Sequence, residues 1–512
     1  MLLRGGGRGC AGANLLPTER PWVTFHGGRF PGLPPNPHAP AATLPRQVSP
    51  TEHIANFEGK DNDINEESES QFLDIEVYSR LVASLSQARD AQDPRLQADL
   101  NTLTQLTSSL DSVSKLVQSK DLRAMLLHVS SILGISSDQY LRAALEKDDA
   151  DLSRLLMRIA CIESEKRTLL GLKGETAQLA VDIIQDLLDK ESLPSTSDAV
   201  STASLLHLVA RPLLIKLSES SGMLPASLFI HGVRRTDQDA LFGGAFGDIY
   251  RAMHKGRQVA LKRMRVFQPD SELEWQKLRR RFCREAMLWQ RLQHPFVLSF
   301  TGIDAETFPT FLCIVSPWMK NGTLTKHLAD NGRTGVELRL FEVAQGLAYL
   351  HSEGIVHGDL RGSNILVDDD WHARLADFGL SVLSSVPLTH TTYRSGSTRW
   401  MGPELLFPQS CGLDSYRRTF ASDVYSFGSV CVELAQGQPP FCEIKEDMAV
   451  VLRVLEGYRS PRPCDPATGQ PLISFALWAI VERCWTHDPA QRPSMARVVE
   501  MMQESRTARF GG

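Results

Sequence analysis

The sequence predicts an α+β chain with segregated elements: an unstructured stretch, an all-α region, then a few strands followed by helices. Three observations predict it. Residues 1–70 are rich in Gly and Pro and include an acidic run over 61–69, so they cannot bury a core. From Gln71 onward Gly and Pro almost vanish and apolar residues recur at helical spacing. At Leu224-Pro225 the pattern changes again, to short apolar runs separated by Gly-rich turns.

Size and composition narrow the function classes. A chain of 512 residues has room for two or three domains of about 100–200 residues each. A net charge of -5 gives no basic field for nucleic acid. The nine cysteines are scattered, without CxxC pairs or Cys/His ligand spacing, which fits a reducing cytoplasmic or nuclear compartment. No run approaches the ~18 consecutive apolar residues of a membrane span. Residues 1–50 carry several arginines and one acid, Glu19, as transit segments do, but their Gly/Pro content and lack of an amphipathic helix fit a disordered tail.

Residues 71–220 read as a helical regulatory or interaction region. Phe72, Ile75, Leu81, Val82 and Leu85 mark a first amphipathic helix, and Asp93-Pro94 opens a second. Leu96, Leu103, Leu110 and Val117 then recur at heptad spacing, with Leu100, Leu106 and Val113 beside them. Core packing in a bundle and self-association as a coiled coil both produce this repeat. Further helices are expected over 122–133, 152–162, 179–188 and 205–217, with Pro212 kinking or splitting the last. The region carries no catalytic constellation.

Strands follow from Leu228-Phe229-Ile230 into the glycine-rich stretch Phe242-Gly-Gly-Ala-Phe-Gly-Asp-Ile-Tyr250. Glycines let backbone amides approach phosphate closely. The chemistry concentrates in 357–379, HGDLRGSNILVDDDWHARLADFG. Asp359, Asn364 and Asp377 stand there in fixed order, separated by the apolar run Ile365-Leu366-Val367 and the polar turn Asp368-Asp369-Asp370. This reads as a loop, a strand, a turn and a strand ending at Asp377. One carboxylate positioned at an acceptor hydroxyl, plus an amide and a second carboxylate for magnesium, suits phosphoryl transfer from a nucleotide.

The segment resembles the catalytic loop and metal-binding triplet of protein kinases, and the resemblance extends over 228–502. It implies a two-lobed protein kinase fold over 224–505, a β-rich N-lobe above a helical C-lobe, with a tail over 506–512. ATP and Mg2+ are the implied cofactors and proteins the substrates. By this resemblance Lys262, in Val-Ala-Leu-Lys, holds phosphates and is fixed by Glu285 on a helix over 275–293. Gly244 and Gly247 belong to the phosphate loop, while Phe242 replaces its first glycine and is expected to weaken the grip on ATP. Ile249, Ala260 and Leu366 enclose adenine, Ser316 is the gatekeeper, and Met319 offers hinge backbone. Asp359 is the base; Asn364 and Asp377 hold magnesium.

The same resemblance assigns the supporting parts. Asp423 bonds the catalytic-loop backbone, Arg492 pairs with Glu404, and Trp289, Phe300, His357 and Phe378 form an internal spine. Arg279-Arg280-Arg281 reads as a solvated helix face or as a dock for an acidic segment. The tyrosine-kinase-like group is the nearest match, through Arg399-Trp-Met-Gly-Pro-Glu404, and within it a branch expanded in fungi. Gly396-Ser-Thr-Arg-Trp400 leans toward Ser/Thr acceptors; Asp359-Leu-Arg-Gly-Ser-Asn364 leans toward tyrosine. Gly358 replaces the family's arginine, which implies that activity does not depend on a phosphate of the activation segment, 381–398. The alternative to an active enzyme is a pseudokinase scaffold that binds ATP or partners without turnover.

Overall fold

A computed structural model describes residues 111–132, 139–191, 200–243, 247–264, 272–308, 311–378, 397–411 and 416–510. The expected helices before residue 111, Gly244 of the phosphate loop and most of the activation segment lie outside them.

The helical region contains α1 (Ser112–Ile132), α2 (Gln139–Cys161), α3 (Glu163–Leu170), α4 (Gly174–Glu191) and α5 (Val200–Ser221). The described end of the heptad repeat faces inward. Val113 and Val117 are buried, together with Leu116, where α1 packs on α4. Pro212 does not split α5. Proline lacks an N–H and frees the carbonyl one turn earlier. Here that carbonyl belongs to Leu208, which is 57% exposed, so water can reach it. The opposite face, Leu206, Ala210, Leu213, Leu214 and Leu217, is buried and holds the helix together.

Leu228-Phe229-Ile230 forms no strand. A 3-10 turn, Ala226–Leu228, is followed by a single bridge from Phe229 to Ile303. The N-lobe sheet is β1 (Arg234–Arg235), β2 (Phe242–Gly243), β3 (Gly247–His254), β4 (Arg257–Met264), β5 (Gly302–Asp304) and β6 (Cys313–Pro317). Its order is β1-β3-β4-β6-β5, with β2 also on β3. Lys255 and Gly256 join β3 to β4 with φ of 47° and 76°. Two left-handed residues make the tight turn that matches strand twist, so the register of both strands is fixed there.

That register puts Ile249 opposite Lys262 and Ala260 opposite Ser316. Because directly paired residues share a face and side chains alternate, these four point to one side. Tyr250, Ala252, Val259, Leu261 and Val315 point to the other and form a separate small core with Phe308. The four residues predicted for one site are therefore brought together by strand geometry alone.

Helix α6 (Glu272–Trp289) crosses behind the sheet and carries Glu285. The C-lobe comprises α7 (Leu324–Asn331), α8 (Val336–Ser352), the hairpin β7 (Ile365–Val367) and β8 (Ala373–Leu375), α9 (Pro403–Leu406), α10 (Phe420–Gln436), α11 (Asp447–Leu455), α12 (Phe475–Cys484) and α13 (Met495–Phe510). Of the tail expected over 506–512, residues as far as Phe510 continue α13, and 511–512 lie outside the described residues. Buried α10 is the lobe's centre. Thr419 and Ser422 cap its start reciprocally, and Gly437 at φ 73° ends it. One continuous core joins the helical region, α6 and the C-lobe. Among the described residues no helix is long and apolar enough to cross a membrane.

Candidate active site

Lys262 lies at the meeting point of the lobes. Its Nζ is 3.2 Å from Glu285 Oε1 and 2.8 Å from Asp377 Oδ1. The Lys262 and Glu285 side chains are 10% and 4% exposed and that of Asp377 is 32% exposed, and their titration follows from this placement. Burial alone would lower the Lys262 ammonium, but Asp377 and Glu285 override it and hold the group above the usual lysine range. Burial pushes Glu285 up against the pull of Lys262. Burial also pushes on Asp377, but Lys262 outweighs it and holds this carboxyl below its ordinary range. Of the two carboxyls beside Lys262, Asp377 is the more firmly ionised, as a cation ligand must be.

Asp377 follows β8 and takes a left-handed backbone, φ 54°. A short polar side chain tolerates that conformation better than most. The turn sends the carboxylate toward Lys262 while Phe378 goes down into the core. Phe378 meets Trp289 with centroids 5.5 Å apart and His357 at 6.4 Å; Trp289 meets Phe300 at 6.1 Å. The four predicted spine residues therefore form one continuous stack from sheet to loop. Burial lowers the His357 imidazole, which favours a neutral ring inside the stack.

The catalytic loop is cross-braced. Asn364 Nδ2 donates to Asp359 O at 2.8 Å and to Asp359 Oδ2 at 3.1 Å. Ala376 N donates to Asn364 O at 2.9 Å, which ties the loop to the strand that carries Asp377. Asp423 on α10 accepts the N–H groups of His357 and Gly358, both at 2.7 Å. Gly358 has φ 77°, a backbone state that only glycine adopts freely. Arg361 Nε lies 3.6 Å from Asp359 Oδ2.

Asn364 and Asp377 offer one amide oxygen and one carboxylate. The Asn364 nitrogen is committed to Asp359, so its oxygen is the end left for a cation, beside a long 3.4 Å contact from Ser363 Oγ. Such a set suits magnesium, which keeps waters and takes its remaining ligands from phosphate.

Ile249, Ala260 and Ser316 stand on the Lys262 face of the sheet, Leu366 is the middle residue of β7, and Gly247 begins β3. Met319 O accepts Gly322 N–H at 3.1 Å and so closes the turn into the C-lobe. Phe242 is 61% exposed and stacks on Trp318 of the hinge, centroids 6.5 Å apart. Its ring thus lies against the hinge strand. The Arg492–Glu404 pair is bidentate at 2.6 and 2.8 Å, with side chains 0% and 2% exposed.

Two supporting residues escaped sequence reasoning. Glu433 is buried beneath the loop and accepts Gly362 N–H and Trp400 Nε1–H, each at 2.8 Å. The signal was available: past Asp423 it is the only charged residue in α10, and a buried charge demands partners. Arg399 donates to the carbonyls of Pro440, Phe441, Ile444 and Lys445 and pairs with Asp447. Its partners are far away in sequence, so only the fold reveals them.

A curled sheet over a helical lobe, with a buried lysine–glutamate pair facing a loop with a carboxylate and an amide and the Asp377 carboxylate beside it, is the two-lobed architecture of a kinase domain. The chain belongs to the protein tyrosine and serine/threonine kinase family, whose profile matches residues 236–502. It is 34% identical over 267 residues to serine/threonine/tyrosine-protein kinase HT1 of Arabidopsis thaliana, covering 51% of this chain and 64% of that one. Serine/threonine-protein kinase CTR1 of the same plant is 31% identical over 274 residues, covering 52% and 31%. The probable serine/threonine-protein kinase drkD of Dictyostelium discoideum is 34% identical over 268 residues, covering 51% and 19%. The chain thus spans less than two thirds of the length of these relatives.

Proposed function

We propose that this protein transfers the γ-phosphoryl group of ATP to hydroxyls of protein substrates, serine and threonine foremost. The observation that carries the reading is the Lys262 ammonium held between Glu285 and Asp377, above a loop that fixes Asp359 and Asn364. The relatives' names supply the acceptor preference.

In this reading Lys262 binds the α- and β-phosphates, and Glu285 keeps it extended. Asn364 and Asp377 hold magnesium, which neutralises charge on the phosphates when bound. Asp359 orients the acceptor hydroxyl and takes its proton as the new O–P bond forms and the bond to ADP breaks. Ile249, Ala260 and Leu366 pack on adenine, Ser316 borders it, and the Met319 backbone addresses its edge. Most of the rate comes from positioning and charge neutralisation, with a base worth ~10²–10⁴. The described cysteines are all free, which supports a reducing compartment such as the cytoplasm and a place in intracellular signalling.

The test is transfer from radiolabelled ATP, wild type against Asp377→Ala, followed by phosphoamino-acid analysis. Label on serine and threonine in the wild type alone is expected. Label on tyrosine alone overturns the acceptor assignment. ATP binding without transfer would instead make the protein a scaffold.

A further inference from the structure

The helical region and the N-lobe meet along α6, the helix that carries Glu285. Among the described elements, α5 is the one packed most extensively on α6. Phe282, Cys283, Ala286 and Met287 of α6 are buried in the same core as Leu213, Leu214 and Leu217 of α5. Three polar contacts pin the two regions together. Arg279 Nε donates to Gly222 O at 2.7 Å, Arg284 Nη1 pairs with Glu219 Oε1 at 3.1 Å, and Gln290 Nε2 donates to Gln185 Oε1 at 3.0 Å.

These contacts span 279 to 290, about 16 Å of helix at 1.5 Å per residue, so they fix tilt as well as position. Their anchor is itself rigid. Asp182 of α4 accepts Ala226 N–H at 2.7 Å, and Gln178 donates to Leu224 O at 2.8 Å, which ties the connecting segment to the bundle. Glu285 reaches Lys262 only while α6 stays against the sheet, and any swing of α6 outward must break all three polar contacts.

We infer that the helical region is a positioning element of the catalytic site: α5 and its C-terminal turn hold α6 so that Glu285 engages Lys262. Glu219 and Arg284 are the charged latch of this device. The inference rests on the kinase reading for its consequence, but its geometry can be read without turnover.

The experiment uses the full chain with Glu219→Arg, Arg284→Glu and the double charge swap, plus Gln290→Ala as a milder variant. Melting curves verify that each is folded. Lys262 reactivity toward an amine-acylating reagent, followed by mass spectrometry, reports the Lys262–Glu285 pair directly. Each charge reversal is expected to raise Lys262 labelling and lower kcat/KM for ATP by about 5- to 100-fold. The swap restores both, and Gln290→Ala shifts both in the same direction by less. In a Glu285→Ala background Glu219→Arg adds no further loss. Unchanged labelling in the folded single variants, or an equal loss in the Glu285→Ala background, overturns the inference. A wild type that never transfers phosphate but shows the labelling pattern refutes the kinase reading and leaves the latch standing.

Discussion

Gly358 is the residue at which this chain departs furthest from its family's chemistry. Its backbone sits at φ 77°, so a side chain here would be strained as well as new. The arginine that would pair with an activation-segment phosphate is absent, and Asp423 anchors the loop through Gly358 N–H. Activity is therefore expected to persist when Ser384, Ser385, Thr389, Thr391, Thr392, Tyr393 and Ser395 are replaced together by Ala or Phe. Steady-state kinetics check this, and near-total loss would contradict it. Ser397 and Thr398 are left intact because they are 5% and 3% exposed, so their loss would disturb packing rather than signalling. At this scale the sequence pointed to Lys262, Glu285 and Asp377, where the fold brings the lysine nitrogen within 3.2 Å of both carboxylates, and to Asp359 and Asn364, which hydrogen-bond in one loop. It carried a cue for Glu433, the one charge in α10 past Asp423, and was silent for Arg399, whose partners are brought in by distant elements.

The element scale shows why local reading succeeds in some places and fails in others. The loop, strand, turn and strand read over 357–379 fold as the hairpin β7–β8, with Asp377 just past its end. Leu228-Phe229-Ile230 has strand composition yet folds as a turn and one bridge, because Ile230 is held by the edge strand carrying Ile303 through a single bond of 2.9 Å. Pro212 fails to split α5 because tertiary burial on one side outweighs a local defect on the other. Arg279 was read as solvated or as a dock for an acidic segment, but its partner is the Gly222 carbonyl. The Glu404–Arg492 pair joins α9 to the segment before α13 and is almost wholly buried. Arg492→Ala strands a buried carboxylate, so chemical denaturation should show a loss of about 3–5 kcal/mol. A loss below about 1 kcal/mol would mean that the pair is dispensable.

Across the whole molecule, two regions that read as separate in sequence share one core. The change of pattern read at Leu224-Pro225 falls just after the end of α5, but the packing of α5 on α6 was not legible, since both helices look amphipathic and neither names its partner. The helical region therefore acts on the N-lobe by contact rather than by tethering.

The proposed turnover rests on the convergence of Lys262, Asp359, Asn364 and Asp377, and Asp359 tests it most directly. Asp359→Asn keeps the shape and the contact with Asn364 but removes the proton acceptor. With saturating ATP and magnesium, kcat for protein phosphorylation should fall by ~10²–10⁴ while ATP affinity stays within a few-fold. Undiminished turnover in that variant would contradict the account.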